Sequence, residues 1–132
     1  QILADKYQVA STVYSATSYQ MLRRDALECE RHNRLHPTAD GKLPYVQTVL
    51  GGTKGPIVAT SDYIRSVAEM VGPFLDNRLV ALGTDGFGRS EVRPALRRFF
   101  EVDAESVAAA ALSALAERGE LPREAVAKAI RD

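Results

Sequence analysis

Cys29, His32 and His36 stand at the spacing C-x2-H-x3-H, the one metal-like arrangement in the sequence. On a helix these positions share one side, and a thiolate with two imidazoles is a donor set that suits zinc. A closed tetrahedral site wants a fourth ligand, usually Cys or His, and the chain has no other residue of either type. Cys29 also continues an apolar stripe begun by Leu22 and Ala26. Both histidines fall near a predicted helix end, where positive charge suits the dipole. The expectation is therefore no metal, with Cys29, His32 and His36 the candidates if one binds.

Gly83-Thr84-Asp85-Gly86-Phe87-Gly88-Arg89-Ser90 lies between a predicted strand and a predicted helix, where glycines and free N–H groups can cradle a phosphate. The order does not match G-x-x-x-x-G-K-[ST], and G-x-x-G-x-G is reversed for a dinucleotide loop. Asp85 would also set a carboxylate against the anion. The preferred reading is a tight turn in which Asp85, Gly86, Phe87, Gly88 and Ser90 are structural, with Ser90 capping the following helix. Arg89, Arg93, Arg97 and Arg98 cluster just beyond it, a candidate docking surface for an acidic partner or a phosphate. The alternative is the plain solvated face of a helix. Arg23, Arg24, Arg31 and Arg34 are interleaved with Asp25, Glu28 and Glu30, so pairing along one helix accounts for them.

No nucleophile elbow G-x-S-x-G and no H-E-x-x-H occurs, and no histidine is placed by sequence to activate the hydroxyl-rich stretch Ser11–Ser18. No catalytic or cofactor-binding residue can be named. With 17 Lys+Arg against 17 Asp+Glu, the chain lacks the cationic excess of a general nucleic-acid binder. It has no apolar run near the ~20 residues of a membrane span. The single cysteine excludes an internal disulfide and suits a reducing, cytoplasmic location.

The elements that must position these residues follow from periodicity. Tyr7 to Ala16 is β-branched and aromatic enough for a strand buried on both faces. A helix capped by Thr17 or Ser18 should run to about Leu35, and a shorter one over Leu43–Leu50. Ile57–Thr60 reads as a strand, followed by a helix capped by Ser61 with Ile64, Val67, Ala68 and Val71 on one stripe. Leu79–Gly83 reads as a second strand. Helices should then cover Glu91–Phe100, Ala104–Arg118 (capped by Asp103 and stopped by Gly119) and Pro122–Ile130. Strands alternating with amphipathic helices predict one α/β domain with a mostly parallel sheet.

Three stretches carry a resemblance: VASTVYSATSYQMLRRDALECERHNRLHP (9–37), LGTDGFGRS (82–90) and FEVDAESVAAAALSALAERG (100–119). They resemble the C-terminal domain of the homodimeric, bacterial-type decarboxylating component of pyruvate dehydrogenase complexes, in the transketolase superfamily, over about Gln1 to Asp132. Asp85, Phe87, Gly88 and Ser90 fit a D-x-F-G-x-S core of the wider superfamily, and RRDALECERHNRLHP narrows the match. With Gly86, the resemblance implies that these residues form a turn that packs at an interface with a neighbouring domain or subunit. His32 stands where relatives usually carry Trp.

The resemblance implies a three-layer α/β/α sandwich with a mostly parallel five-stranded sheet, its first strand missing from this chain. It implies a parent that decarboxylates pyruvate on thiamine diphosphate and Mg2+, both held by upstream domains, and reductively acetylates a lipoyl group. The implied partners are the rest of the same polypeptide, a second copy in a homodimer, and the lipoyl-bearing acyltransferase. The fragment alone would be inactive, its role structural, in dimerisation and in docking. The alternative reading is a free-standing, non-catalytic binding or regulatory module of the same fold.

Overall fold

The computed structural model describes residues 1–131; the expected domain limit at Asp132 lies outside them. The elements run α1 (Ile2–Tyr7), α2 (Tyr19–Leu35), α3 (Tyr45–Leu50), β1 (Ile57–Thr60), α4 (Arg65–Glu69), a 3-10 turn (Gly72–Phe74), β2 (Leu79–Leu82), α5 (Arg93–Phe99), α6 (Ala104–Glu117) and α7 (Arg123–Arg131). β1 and β2 are parallel, in register from Ile57 opposite Leu79 to Thr60 opposite Leu82. Parallel strands need a crossover, and the one between them carries α4, which packs on both strands, as α6 does.

Local chemistry decides the two longest helices. The Ser18 hydroxyl accepts the Met21 N–H at 3.2 Å and opens α2. The Asp103 carboxylate accepts the Ser106 N–H at 2.9 Å and opens α6. Gly119, at φ 76°, turns the chain out of α6 at no steric cost. Burial works against the Asp103 carboxylate, but the Ser106 hydrogen bonds and the Arg98 guanidinium outweigh it and hold its pKa below the ordinary value.

The core is built mainly from small residues: Ala26, Ala68, Ala81, Ala108 and Ala114 are buried, and Leu112 and Val102 are the largest fully buried side chains. Alanines let α4 and α6 approach the strands closely. They also bury little apolar area per residue, so the hydrophobic gain is modest.

Three expectations are corrected. Tyr7–Ala16 is not a strand: α1 runs to Tyr7, Gln8 ends it in the left-handed region (φ 55°), and the chain from Val9 to Thr17 joins no sheet. Nor is it buried, since Val13 is 90% and Tyr14 55% exposed. β-propensity makes a strand only where a neighbour takes up its N–H and C=O groups, and neither β1 nor β2 does. Secondly, the sheet has two strands among the described residues, not five. An α/β fold stands, with α4 and α6 both packed on this pair of strands.

Thirdly, two capping serines do not cap. Ser61 Oγ takes the Tyr63 N–H at 3.0 Å in a turn, so α4 starts only at Arg65. Ser90 precedes a helix that starts at Arg93 with no side-chain cap. Glu91 instead holds the Val92 N–H at 2.9 Å.

The accessible surface is 9449 Å². A compact monomer of 14.4 kDa should expose about 6,800 Å² by the usual scaling of area with mass. The excess matches in size the larger, permanent protein interfaces. It goes with exposed Val13, Tyr14, Tyr63, Ile64, Phe87 and Phe99.

Candidate functional site

The loop at the carboxyl end of β2 is held by backbone first and side chains second. A Cβ built on Gly83 would lie 2.5 Å from the Tyr63 carbonyl oxygen and 2.7 Å from the Arg65 nitrogen. Only glycine lets β2 run this close to the start of α4. Thr84 then donates its N–H to the Tyr63 carbonyl at 2.9 Å and its hydroxyl to the Asp62 carbonyl at 2.7 Å.

Asp85 completes the attachment. Its Oδ1 accepts the Arg65 N–H at 2.9 Å, and its Oδ2 takes the Arg65 guanidinium in a close ion pair. The carboxylate thus serves the amino end of α4 from twenty positions away, where no local side chain does. Sequence reasoning placed Asp85 in a structural turn, without foreseeing that it would reach the start of α4. The sequence offered Ser61 as a local cap, which concealed the need for a distant one.

The Arg65 N–H and guanidinium hold the Asp85 carboxyl below its ordinary pKa of 3.8. A carboxyl whose pKa is lower folded than unfolded stabilises the fold above about pH 3.8. That stability fades as the pH falls through the folded value. An acid titration of stability should therefore find Asp85→Asn less stable than wild type at neutral pH, the two converging at low pH. Parallel curves at all pH values would remove Asp85 from this role.

The two constellations singled out in sequence meet in one place. Gly86, Phe87 and Gly88 form one side of a groove of about 300 Å³, and Arg89, Arg93 and Arg97 another. Phe87 is 93% exposed, on a loop that Gly86 turns at φ 94°. The Arg89 guanidinium lies 4.4 Å from the centre of the Phe99 ring, a cation–π contact that fixes its direction. Arg97 donates to the Val102 carbonyl at 3.3 Å, and its Nε is buried without an acceptor. Arg98 leaves the cluster: it pairs with Asp103 at 3.1 Å and does not line the groove. Ser90 does not line it either.

The histidine–cysteine cluster makes a different kind of arrangement. The His32 and His36 rings stack with centroids 4.4 Å apart, and His36 Nδ1 sits 2.9 Å from the His32 carbonyl, donating to it and closing the end of α2. Cys29 is buried, and burial, with Asp25 next, pushes its thiol pKa up. Burial, aided by Lys42 and His36, lowers the pKa of His32. Among the described residues no group of three or more His, Cys, Asp or Glu side chains is placed to hold a metal ion. The donor set therefore does not fit a Mg2+–diphosphate cofactor: the one carboxylate tied into the loop, Asp85, is already taken by Arg65.

The geometry defines an α/β domain with a ligand-sized groove at the carboxyl end of a parallel strand, the usual place for binding in such sheets. The transketolase-like TK C-terminal domain family matches residues 1–103, and the chain belongs to that family. Similar proteins include the pyruvate dehydrogenase E1 component of Escherichia coli strain K12, 48% identical over 133 residues and 98% of this chain. That of Pseudomonas aeruginosa is 45% identical over 131 residues, again 98% of this chain. That of Mycolicibacterium smegmatis is 42% identical over 128 residues and 97% of this chain. The chain spans 14–15% of the length of these relatives.

Proposed function

We propose that this chain is the C-terminal, non-catalytic part of a thiamine-diphosphate-dependent pyruvate dehydrogenase (acetyl-transferring). The parent decarboxylates pyruvate and reductively acetylates a lipoyl group on the acyltransferase of its complex, in the cytoplasm. Thiamine diphosphate and Mg2+ belong, in this reading, to other domains of the parent. The observation that carries it is near-complete coverage of this chain by pyruvate dehydrogenase E1 components, at 42–48% identity in three bacterial relatives.

The domain's own role is structural: it contributes to the homodimer and to docking within the complex. The surface excess supports this against the free-standing module, because a self-sufficient domain of this mass would hide more of itself. The free edge of β1 and the unpaired Val9–Thr17 segment would both be satisfied by a strand from the rest of the parent, and an open apolar edge is otherwise an aggregation liability. Residues 1–132 expressed alone should then be poorly soluble, and a cooperatively melting monomer would favour the free-standing module.

The test is turnover by the intact parent chain with thiamine diphosphate, Mg2+ and an artificial electron acceptor. Reduction should depend on pyruvate. Activity with 2-oxoglutarate only, or transketolase activity only, would move the assignment within the superfamily.

A further inference from the structure

We infer that the groove between the Thr84–Ser90 loop and α5 binds an extended acidic segment of a partner protein, with carboxylates at alternate positions and apolar side chains between them. The inference rests on the docking role proposed above, but not on the chemistry of the parent.

Charge supplies the first argument. The chain is neutral overall, with 17 cationic and 17 anionic side chains, and three of the cations without an ion pair among the described residues converge on this groove. Asp85 takes Arg65 and Asp103 takes Arg98, whereas Arg89, Arg93 and Arg97 form no ion pair among the described residues. All three line the groove, and the one carboxylate lining it is Asp62. A concave site with several guanidinium groups and little anionic compensation favours carboxylates.

Spacing and lining identify the class. Arg93 and Arg97 are one turn apart on α5, a rise of about 6 Å. Alternate side chains of an extended chain are about 7 Å apart on one face, so two carboxylates of such a segment can meet both arginines. Leu96, Phe100 and Val102 give the groove an apolar lining, and Phe87 adds an exposed aromatic anchor. An isolated phosphate would use the charge and leave this surface idle. A segment with apolar residues between its acids uses both. Arg89, already seated on Phe99, gives up little side-chain freedom on binding.

The probe is a fluorescein-labelled octapeptide of alternating Glu and Leu, titrated against the intact parent protein by fluorescence anisotropy. The matched control alternates Gln and Leu. The Glu peptide should bind, weakening as salt rises, and the Gln peptide should bind at least about tenfold more weakly. Arg93→Glu should weaken the Glu peptide by a similar factor, with an unchanged melting temperature showing that the fold is kept. Phe87→Ala should weaken binding while leaving the salt dependence as it was.

No binding of the Glu peptide, equal binding of both peptides, or full affinity in Arg93→Glu would overturn the inference. Complete displacement by millimolar inorganic phosphate would do so too, by reducing the groove to a simple anion site. Pyruvate turnover by the unmodified parent is measured separately, so a failure of the enzymatic reading and a failure of the groove give different patterns.

Discussion

Leu112→Ala should cost about 3–5 kcal/mol, the upper part of the range for a buried leucine. Leu112 is completely buried on α6, the helix that packs on both strands as well as on α1 and α7. The cost of such a truncation depends on how far the surroundings collapse into the space left. Around α6 they can do little, because the buried neighbours on the same helix, Ala108 and Ala114, have no rotamers to swing inward. Hydrogen-exchange mass spectrometry on the intact parent is the suitable reading, since it localises the loss. Amide protection in α6 and in both strands should fall together. A loss below about 1 kcal/mol would mean that the helix is held by something other than this core.

Gly83→Ala should come next, with a loss of about 3 kcal/mol, at the top of the usual range for overpacking. The new methyl would lie 2.5 Å from the Tyr63 carbonyl oxygen and 2.7 Å from the Arg65 nitrogen. Both are backbone atoms and cannot rotate aside, so β2 or the start of α4 must move. Either movement stretches the Thr84 hydrogen bond to Tyr63 and the Asp85 hydrogen bond to Arg65. The substitution should therefore loosen the loop as well as lower the melting temperature. Exchange at the Thr84 and Arg65 amides would accelerate more than exchange in α7, which packs on α6. Unchanged protection at those amides would mean that the close approach at Gly83 matters little.

Much of the fold was legible because its signals are local. Ser18 and Asp103 sit three residues before the N–H groups they accept, so the starts of α2 and α6 were readable from composition and spacing. β1 and β2 were readable as short apolar runs between turn residues. Apart from Ser90, whose helix starts later than expected, the failures involve partners distant in sequence. Val9–Thr17 has the residues of a strand without a neighbour in this chain to make it one. The acceptor for the Arg65 N–H is Asp85, twenty positions on, so reading a local cap at Ser61 placed the start of α4 too early.

The site was half legible for the same reason. The glycine loop and the arginine cluster were each visible as sequence features. That Arg89, Arg93 and Arg97 line one groove with the loop while Arg98 pairs with Asp103 depends on how α5 follows β2, and no spacing rule encodes it. The histidine–cysteine spacing carried the opposite lesson. Residues that share a helix face need not aim at one point, and His32 and His36 satisfy each other by stacking.

We propose that this domain is one part of a larger thiamine-dependent enzyme whose catalytic groups lie in its other parts. The intact mass of the native polypeptide under denaturing conditions, detected with an antibody to this segment, tests it most directly. A chain several times larger than 14.4 kDa is the predicted result. A product near 14.4 kDa would contradict it, leaving a lone binding module with no thiamine site of its own.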